Sequence, residues 1–179
     1  MPRIKPQESN VLDTTTAATL DAVRKSVGMV PNLFSTLAHA PAALNAYLGL
    51  SETLTAGELT AEQREIIALT VAQYNQCQYC LSAHSLMGKG AGLSEDDIKL
   101  ARNGGATDGL NHNIAAFARD VTEFRGVVPD ESFKAYLERG LTHALMIEIT
   151  ANVALNLFSN YANHLADTEI DFPVVDLAI

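Results

Sequence analysis

Residues 60–92 decide the fold: they read TAEQREIIALTVAQYNQCQYCLSAHSLMGKGAG and encode two helices in succession. Thr60 followed by Gln63 is a capping-box pattern, which predicts a helix that runs to about Tyr74. The next helix is predicted from about Cys77 to Lys89, because the glycine-rich residues that follow are typical of a helix end. Helix therefore follows helix, with no room for a strand between them.

The other periodic segments also predict helices, and none shows the apolar–polar alternation of a strand. They cover residues 14–27, 31–37, 41–50, 94–103, 111–124, 129–137 and 142–165. The predicted fold class is therefore all-α, a compact multi-helix bundle. A chain of 179 residues fits one domain, predicted over 1–179 with a core at about 31–166 and an extension at each end.

Composition limits the classes of function. Hydrophobic residues make up 47% of the chain and charged residues 18%, which is typical of a folded globular protein. The formal net charge of −9 argues against nucleic acid and against an anionic membrane surface as partners. No signal-peptide pattern and no apolar run of about 20 residues is found, so a cytoplasmic location is expected. In that compartment a Cys-x-x-Cys pair is more often catalytic, redox-active or metal-binding than structural.

The sequence contains two cysteines, and both lie beside a histidine in the second predicted helix. Cys77, Cys80 and His84 are three and four residues apart, so they share one helix face. His84 is placed to accept a thiol proton, and Cys77 is placed to trap an oxidised Cys80 sulfur as a disulfide. Which thiol attacks stays open, because the helix N-terminus favours Cys77 as the more acidic thiol whereas the position of His84 favours Cys80.

Two further polar features accompany this motif. Glu65 lies on an apolar stripe of the preceding helix, where a buried carboxylate near His84 could orient the imidazole. In the last helix a polar residue recurs every three or four positions: Glu148, Asn152, Asn156, Asn160 and Asn163. We expect this polar line to face solvent; the alternative is that it borders a shared cavity.

Glu65, eleven intervening residues and Cys77-x-x-Cys80-x-x-x-His84 resemble the catalytic signature of AhpD-like alkylhydroperoxidases of the carboxymuconolactone decarboxylase superfamily. The glycine-rich residues 87–92 fit the same resemblance, and residues 163–173 resemble the ending of its peroxidase-related subgroup. The resemblance covers most of the chain. It implies an all-helical AhpD-like domain, an obligate homo-oligomer (dimer, trimer or hexamer) and thiol-dependent reduction of hydroperoxides.

The resemblance also assigns roles to residues. It implies that Cys80 is the peroxidatic thiol, Cys77 the resolving thiol, His84 the base and Glu65 its partner. Tyr79 departs from the pattern, because the family's well-characterised member has histidine immediately before the second cysteine. A phenol donates a hydrogen bond but is a poor proton acceptor near neutral pH. Tyr79 is therefore a candidate for a supporting role.

The predicted function is that of an antioxidant peroxidase that needs no flavin, haem, metal or other cofactor. Its expected partners are a small hydroperoxide and an external dithiol or protein reductant. The alternatives are a general disulfide reductase, a non-redox enzyme of the decarboxylase type that uses His84 and Glu65, a metal site at Cys77, Cys80 and His84, and a structural oligomer.

Overall fold

The computed structural model describes residues 1–179 as nine α-helices joined by short loops, with a one-turn 3-10 helix at Ser9–Val11 and no strand. The prediction of an all-α fold is therefore confirmed. The helices are α1 (Thr14–Val27), α2 (Asn32–Leu37), α3 (Pro41–Leu54), α4 (Ala61–Tyr74), α5 (Gln78–Ala91), α6 (Glu95–Arg102), α7 (Gly109–Glu123), α8 (Asp130–Glu138) and α9 (His143–Ala166).

Side-chain caps fix several of the helix starts. The Thr60 hydroxyl accepts the Gln63 N–H at 3.2 Å, and the Gln63 side chain accepts the Thr60 N–H at 3.0 Å, which confirms the predicted capping box. Ser94 forms a second capping box at α6, and the Thr142 hydroxyl caps α9. A side-chain cap of this kind stabilises a helix by about 1 kcal/mol. The polar residues at these positions therefore locate the helices locally.

Several helix bounds differ from the predictions, most clearly those of α3 and α5. Helix α3 continues one turn further, to Leu54 instead of Leu50, and buries Leu54 at its end. Helix α5 begins at Gln78, because Cys77 has an extended backbone and serves as the N-cap, and it runs on to Ala91. Periodicity alone rarely fixes a helix end to within one turn, since tertiary contacts decide whether the last turn forms.

Helix α4 is the central element of the bundle and packs against α5, α6, α7 and α9. Seven consecutive residues, Ile66–Ala72, are buried, so α4 is enclosed on all sides. Its two faces contribute to two apolar clusters, with Ile66 and Leu69 in the first and Ile67 and Val71 in the second. Burying one such side chain fully stabilises the fold by roughly 1.5–3 kcal/mol.

The first cluster carries the cysteine motif and is covered by both ends of the chain. Leu20 and Val23 of α1 are buried, and Leu20 belongs to the cluster. Residues 167–179 run past α5 and α6, where the Ser82 hydroxyl accepts the Val175 N–H at 3.1 Å. The Arg102 guanidinium donates to three successive carbonyls of this tail, those of residues 176–178. Hence the tail is bound along the outer side of the motif helix.

No single helix has both the length and the hydropathy expected of a membrane span. Helices α8 and α9, which are bent by 118° relative to each other, reach these values only when they are counted as one segment.

Candidate active site

The turn between α4 and α5 sets the position of the first cysteine. The Cys77 N–H donates to the Ala72 carbonyl and the Gln76 N–H to the Gln73 carbonyl, which is a Schellman motif. Gln76 takes the left-handed position at φ 57°, where glycine is the usual residue. The chain therefore ends α4 and reverses within two residues, and Cys77 becomes the N-cap of α5.

Cys77 and Cys80 form a disulfide, with their Cα atoms 5.2 Å apart. Both residues are buried, at 1% and 3% exposure. The Cys77 Sγ also accepts the Cys80 N–H at 3.3 Å, one of the first free N–H groups of α5. The sulfur pair thus lies at the positive end of a helix dipole, which favours negative charge on sulfur after reduction.

Glu65 and His84 form a hydrogen-bonded pair between α4 and α5. Glu65 Oε2 lies 2.9 Å from His84 Nδ1, and both side chains are largely buried. A carboxylate at Nδ1 holds the ring proton there and leaves Nε2 as the acceptor. Gly88, one turn after His84, packs against Leu93: a Cβ there would lie 3.1 Å from the Leu93 Cδ1 and at an ordinary contact distance of 3.8 Å from the Glu65 Cβ. The structure therefore brings the predicted pair together.

An apolar cavity of about 600 Å³ opens beside this pair. Cys80 and His84 line it, whereas Cys77 and Glu65 are absent from its walls. The walls come from α1, α2, α3, α5, α9 and the tail, and their aromatic residues are Phe34, Tyr47, Tyr79 and Phe172. A ligand in this cavity would therefore meet one of the two sulfurs and the imidazole.

Tyr79 lines the same cavity and ties α5 to α2. Its hydroxyl oxygen accepts the Leu33 N–H at 3.2 Å, and its ring meets Phe172 edge-on with centroids 5.6 Å apart. Burial raises the pKa of Tyr79; the Leu33 hydrogen bond opposes the rise, and the charge of Asp171 adds to it. The phenol therefore stays protonated at neutral pH, and it is not a base.

Tyr47 of α3 is a cavity residue that the sequence did not single out. Burial raises its pKa to about 12, with a Ser159 hydrogen bond opposing the shift and the charge of Glu65 adding to it. Its ring lies between those of Phe34 and Phe158, at 5.7 and 6.0 Å. No periodic or spacing signal marks this residue, because its contacts come from helices far apart in the sequence.

The polar line of α9 does not face solvent, so that prediction is wrong. Asn152, Asn156, Asn160 and Asn163 are exposed by 5% or less, because α9 packs this face against the bundle. The alternative of a shared cavity holds for Asn163, which lines it together with Ser159. Asn163 Nδ2 lies 3.4 Å from the Cys80 Sγ and donates to it. Sequence spacing identified this residue but placed it in the wrong environment.

No group of three or more His, Cys, Asp or Glu side chains is arranged to hold a metal ion. In the disulfide form the two sulfurs are bonded to each other, so the predicted alternative of a site at Cys77, Cys80 and His84 has no support in this arrangement.

The comparisons with known proteins agree with this fold. Residues 41–123 match the model of the carboxymuconolactone decarboxylase family. An uncharacterized peroxidase-related protein from Ralstonia eutropha JMP134, described as an alkylhydroperoxidase AhpD core, superposes with a TM-score of 0.85 at 25% identity, over 95% of this chain and 92% of that one. No curated protein sequence matches the chain.

Two other solved structures share the fold. A peroxidase-related protein from Silicibacter sp. TM1040 has a TM-score of 0.78 at 20% identity, over 89% of this chain and 86% of that one. The debrominase Bmp8, as a cysteine-to-alanine variant in complex with 2,3,4-tribromopyrrole, also has a TM-score of 0.78, at 21% identity over 94% of this chain and 91% of that one. Residues 41–123 are thus similar to the carboxymuconolactone decarboxylase family, and the whole chain shares the AhpD-like fold.

Proposed function

We propose that this protein is a thiol-dependent hydroperoxide reductase. One arrangement carries the proposal: Cys80 and His84 line one apolar cavity. Outside the cavity walls, Cys77 forms a disulfide with Cys80, and Glu65 forms a hydrogen bond with His84. A nucleophile, its base and an orienting carboxylate are the three parts that thiol activation needs. The similarity of residues 41–123 to the carboxymuconolactone decarboxylase family, and of the fold to a peroxidase-related AhpD core, supports the same class of activity.

The first step would oxidise Cys80. His84 Nε2 takes the Cys80 proton, and the thiolate attacks the terminal oxygen of a hydroperoxide, ROOH. The S–O bond forms and the O–O bond breaks, which gives a sulfenic acid on Cys80. The alkoxide that leaves takes a proton from the His84 imidazolium and becomes the alcohol. Glu65 stabilises that imidazolium between the two proton transfers.

The second step would form the disulfide. The Cys77 sulfur attacks the Cys80 sulfenic sulfur, and the hydroxyl leaves as water once it has gained the Cys77 proton. The sum is ROOH plus two thiols giving ROH, water and one disulfide. An external dithiol then reduces the disulfide and is itself oxidised. Cys80 is assigned as the attacking thiol because it lines the cavity and Cys77 does not.

The cavity walls favour an organic substrate. Fourteen of the 21 lining residues are hydrophobic, and the volume of about 600 Å³ falls in the range of small-molecule sites. An aryl or alkyl hydroperoxide would bury its carbon chain there, and hydrogen peroxide has none to bury. We therefore expect cumene hydroperoxide to be reduced with a lower KM than hydrogen peroxide.

Thiol titration would test the proposal. Reduced protein should lose two thiols per chain on addition of one equivalent of cumene hydroperoxide, and one equivalent of cumyl alcohol should form. Mass spectrometry without reductant should show a loss of two hydrogens within one chain. If disulfides formed only between chains, Cys77 would not be the resolving thiol. If the number of thiols per chain did not change, the protein would not be a thiol-dependent peroxidase.

A second candidate is reductive removal of halogen from an aromatic ring, and the aromatic cavity walls favour it. The structural neighbour Bmp8 is a debrominase bound to a bromopyrrole. Here the Cys80 thiolate would take bromine from the ring, the ring carbon would gain a proton, and Cys77 would displace bromide to form the disulfide. Release of bromide from tribromopyrrole by the reduced protein would support this candidate over the peroxidase.

Two remaining alternatives have direct tests. A general disulfide reductase would reduce insulin disulfides at a rate that does not depend on the cavity, so a bulky side chain at Ala83 would leave that rate unchanged. A decarboxylase-type enzyme would keep its activity on a lactone substrate when both cysteines are replaced by serine.

We also propose that the chain forms a homo-oligomer. Four large apolar side chains lie on the outer face of α9, namely Ile147, Phe158, Tyr161 and Leu165, and each is at least 37% exposed. Leu155 of the same helix is buried inside the chain and does not belong to this face. Sedimentation at micromolar concentration should give a multimer, and a stable monomer would contradict the proposal.

A further inference from the structure

Asn163 contacts the sulfur of Cys80 from the opposite wall of the site. Asn163 is 3% exposed and lines the cavity, and its Nδ2 donates to the Cys80 Sγ at 3.4 Å. Sulfur in a disulfide is a weak acceptor, but a thiolate accepts far more strongly because it is charged. The contact is therefore placed to become stronger when the site is reduced.

The other atom of the same amide has no partner. Asn163 Oδ1 is buried and no protein group donates a hydrogen bond to it. A buried carbonyl oxygen without a donor is unfavourable, so such an atom needs an explanation. A hydroperoxide offers one, because its terminal oxygen carries the O–H group that would supply the missing donor.

The backbone of Asn163 is fixed by the end of its helix. Asn163 lies in the last turn of α9, where its backbone carbonyl accepts the N–H groups of Asp167 and Thr168. Asp167 closes the helix in the left-handed conformation, at φ 52°. The Cα of Asn163 is thus held on a capped helix end, and its side-chain amide lies beside the cavity and the Cys80 sulfur.

We infer that Asn163 is a catalytic residue of the proposed peroxidase site: Nδ2 stabilises the Cys80 thiolate, and Oδ1 accepts the terminal O–H of the hydroperoxide. The inference rests on the proposed function. The two contacts would set the attacked oxygen against the attacking sulfur in the step described above. Asn163 gains and loses no proton; the proton from Cys80 goes to His84 and then to the departing alkoxide.

The test of the sulfur contact does not require peroxide. In a Cys77→Ser background, the rate of Cys80 alkylation by iodoacetamide is measured against pH for Asn163, Asn163→Leu and Asn163→Asp. We expect the pH of half-maximal rate to rise by about one unit in Asn163→Leu, which lowers the thiolate fraction about tenfold at any pH well below the parent midpoint, as for a lost hydrogen bond to a charged group. Asn163→Asp should raise it further, because a carboxylate would then face the thiolate.

Asn156→Leu is the matched control, because Asn156 is equally buried in α9 but donates to the Asn152 carbonyl of its own helix. Its alkylation profile should equal that of the parent. Asn163→Asp is nearly isosteric, so it serves as the test if the leucine variant does not fold. An unchanged profile in Asn163→Asp would overturn the sulfur contact.

The test of the substrate contact uses cumene hydroperoxide in the chain with both cysteines. After correction for the thiolate fraction, oxidation of Asn163→Leu should still be about tenfold slower, because iodoacetamide has no O–H to bind and cumene hydroperoxide has one. Equal corrected rates would overturn the role of Oδ1. If the parent protein is not oxidised by hydroperoxide but the alkylation profiles shift as expected, the proposed function fails and the thiolate contact stands.

Discussion

The two portions of α9 on either side of Leu157, named its first and second half, carry the same polar pattern and use it differently. In the first half, Asn152 and Asn156 each donate to the carbonyl four residues before them in the same helix, at 2.9 Å. In the second half, Asn160 accepts from Asn75 and Asn163 donates to the Cys80 sulfur, so both bonds leave the helix. Fully buried amide atoms without a partner occur only in the second half, at Asn160 Nδ2 and Asn163 Oδ1.

This difference separates a structural polar line from a reactive one. A buried amide that is satisfied within its own helix contributes to packing and offers nothing to a ligand. A buried amide that retains a free atom and also lines the cavity, as Asn163 does, is available to a substrate. The first half also contains Glu148, whose carboxylate accepts the N–H groups of Glu58 and Leu59 and holds the loop before α4. We therefore expect changes in the first half to affect stability and changes around the second half to affect chemistry.

The largest effect is expected at the sulfur that Asn163 contacts. Cys80→Ser should abolish peroxide turnover, because a serine hydroxyl is not oxidised in this way. Cys77→Ser should leave a Cys80 sulfenic acid that dimedone traps but that does not recycle. Mass spectrometry of the dimedone adduct checks both variants. An adduct found at residue 77 in Cys80→Ser would reverse the assigned roles.

The next effect is expected at the pair of Glu65 and His84, of which His84 lines the cavity together with Cys80. His84→Gln and Glu65→Gln should each slow peroxide-driven oxidation of Cys80 by roughly ten- to a thousand-fold, as for a lost general base or its partner. The double variant should be little slower than the worse single one, because residues that act as a unit are not additive. Stopped-flow oxidation rates check this. Rates equal to the parent in both variants would make the pair structural.

A third effect should appear in the first half of α9 and should concern stability. Glu148→Ala removes the acceptor of two backbone N–H groups, so we expect a loss of roughly 1–3 kcal/mol in the free energy of unfolding. Gly57→Ala should act in the same direction, because its new Cβ would occupy the position of the Glu148 carboxylate. Urea denaturation checks the loss, with peroxide turnover per folded chain unchanged. A slower turnover at equal stability would connect this half of α9 to the site.

The smallest effect concerns the Tyr47 phenol beside Ser159. Its pKa of about 12 lies above the unfolded value near 10, so its contribution to stability is complete below pH 10 and is lost as pH rises through 12. At pH 11 this loss should be roughly 1–2 kcal/mol relative to neutral pH, and Tyr47→Phe should lack it. Tyr79 and Tyr136 also have raised pKa values, so urea denaturation must compare the pH dependence of stability in the parent with that in Tyr47→Phe. Parallel pH profiles would mean that Tyr47 is not desolvated.

Local signals in the sequence predicted the helices and much of the candidate site. Thr60, Ser94 and Thr142 mark helix starts because a cap is made within four residues, and such contacts do not depend on the rest of the fold. The spacing of Cys77, Cys80 and His84 placed them on one helix, and the apolar stripe around Glu65 indicated its burial. These inferences needed only helix geometry.

The sequence by itself thus determined an all-α chain, the order of its helices and a cysteine pair at a helix start. The tertiary structure alone decided which face of α9 is buried, where the cavity opens and that Asn163 meets a sulfur 83 residues away in the sequence. The physical reason is that periodicity shows that a helix has two unlike faces, but an asparagine is compatible with solvent or with a polar partner inside. Only the packing of α9 against α4 and α5 selects between them.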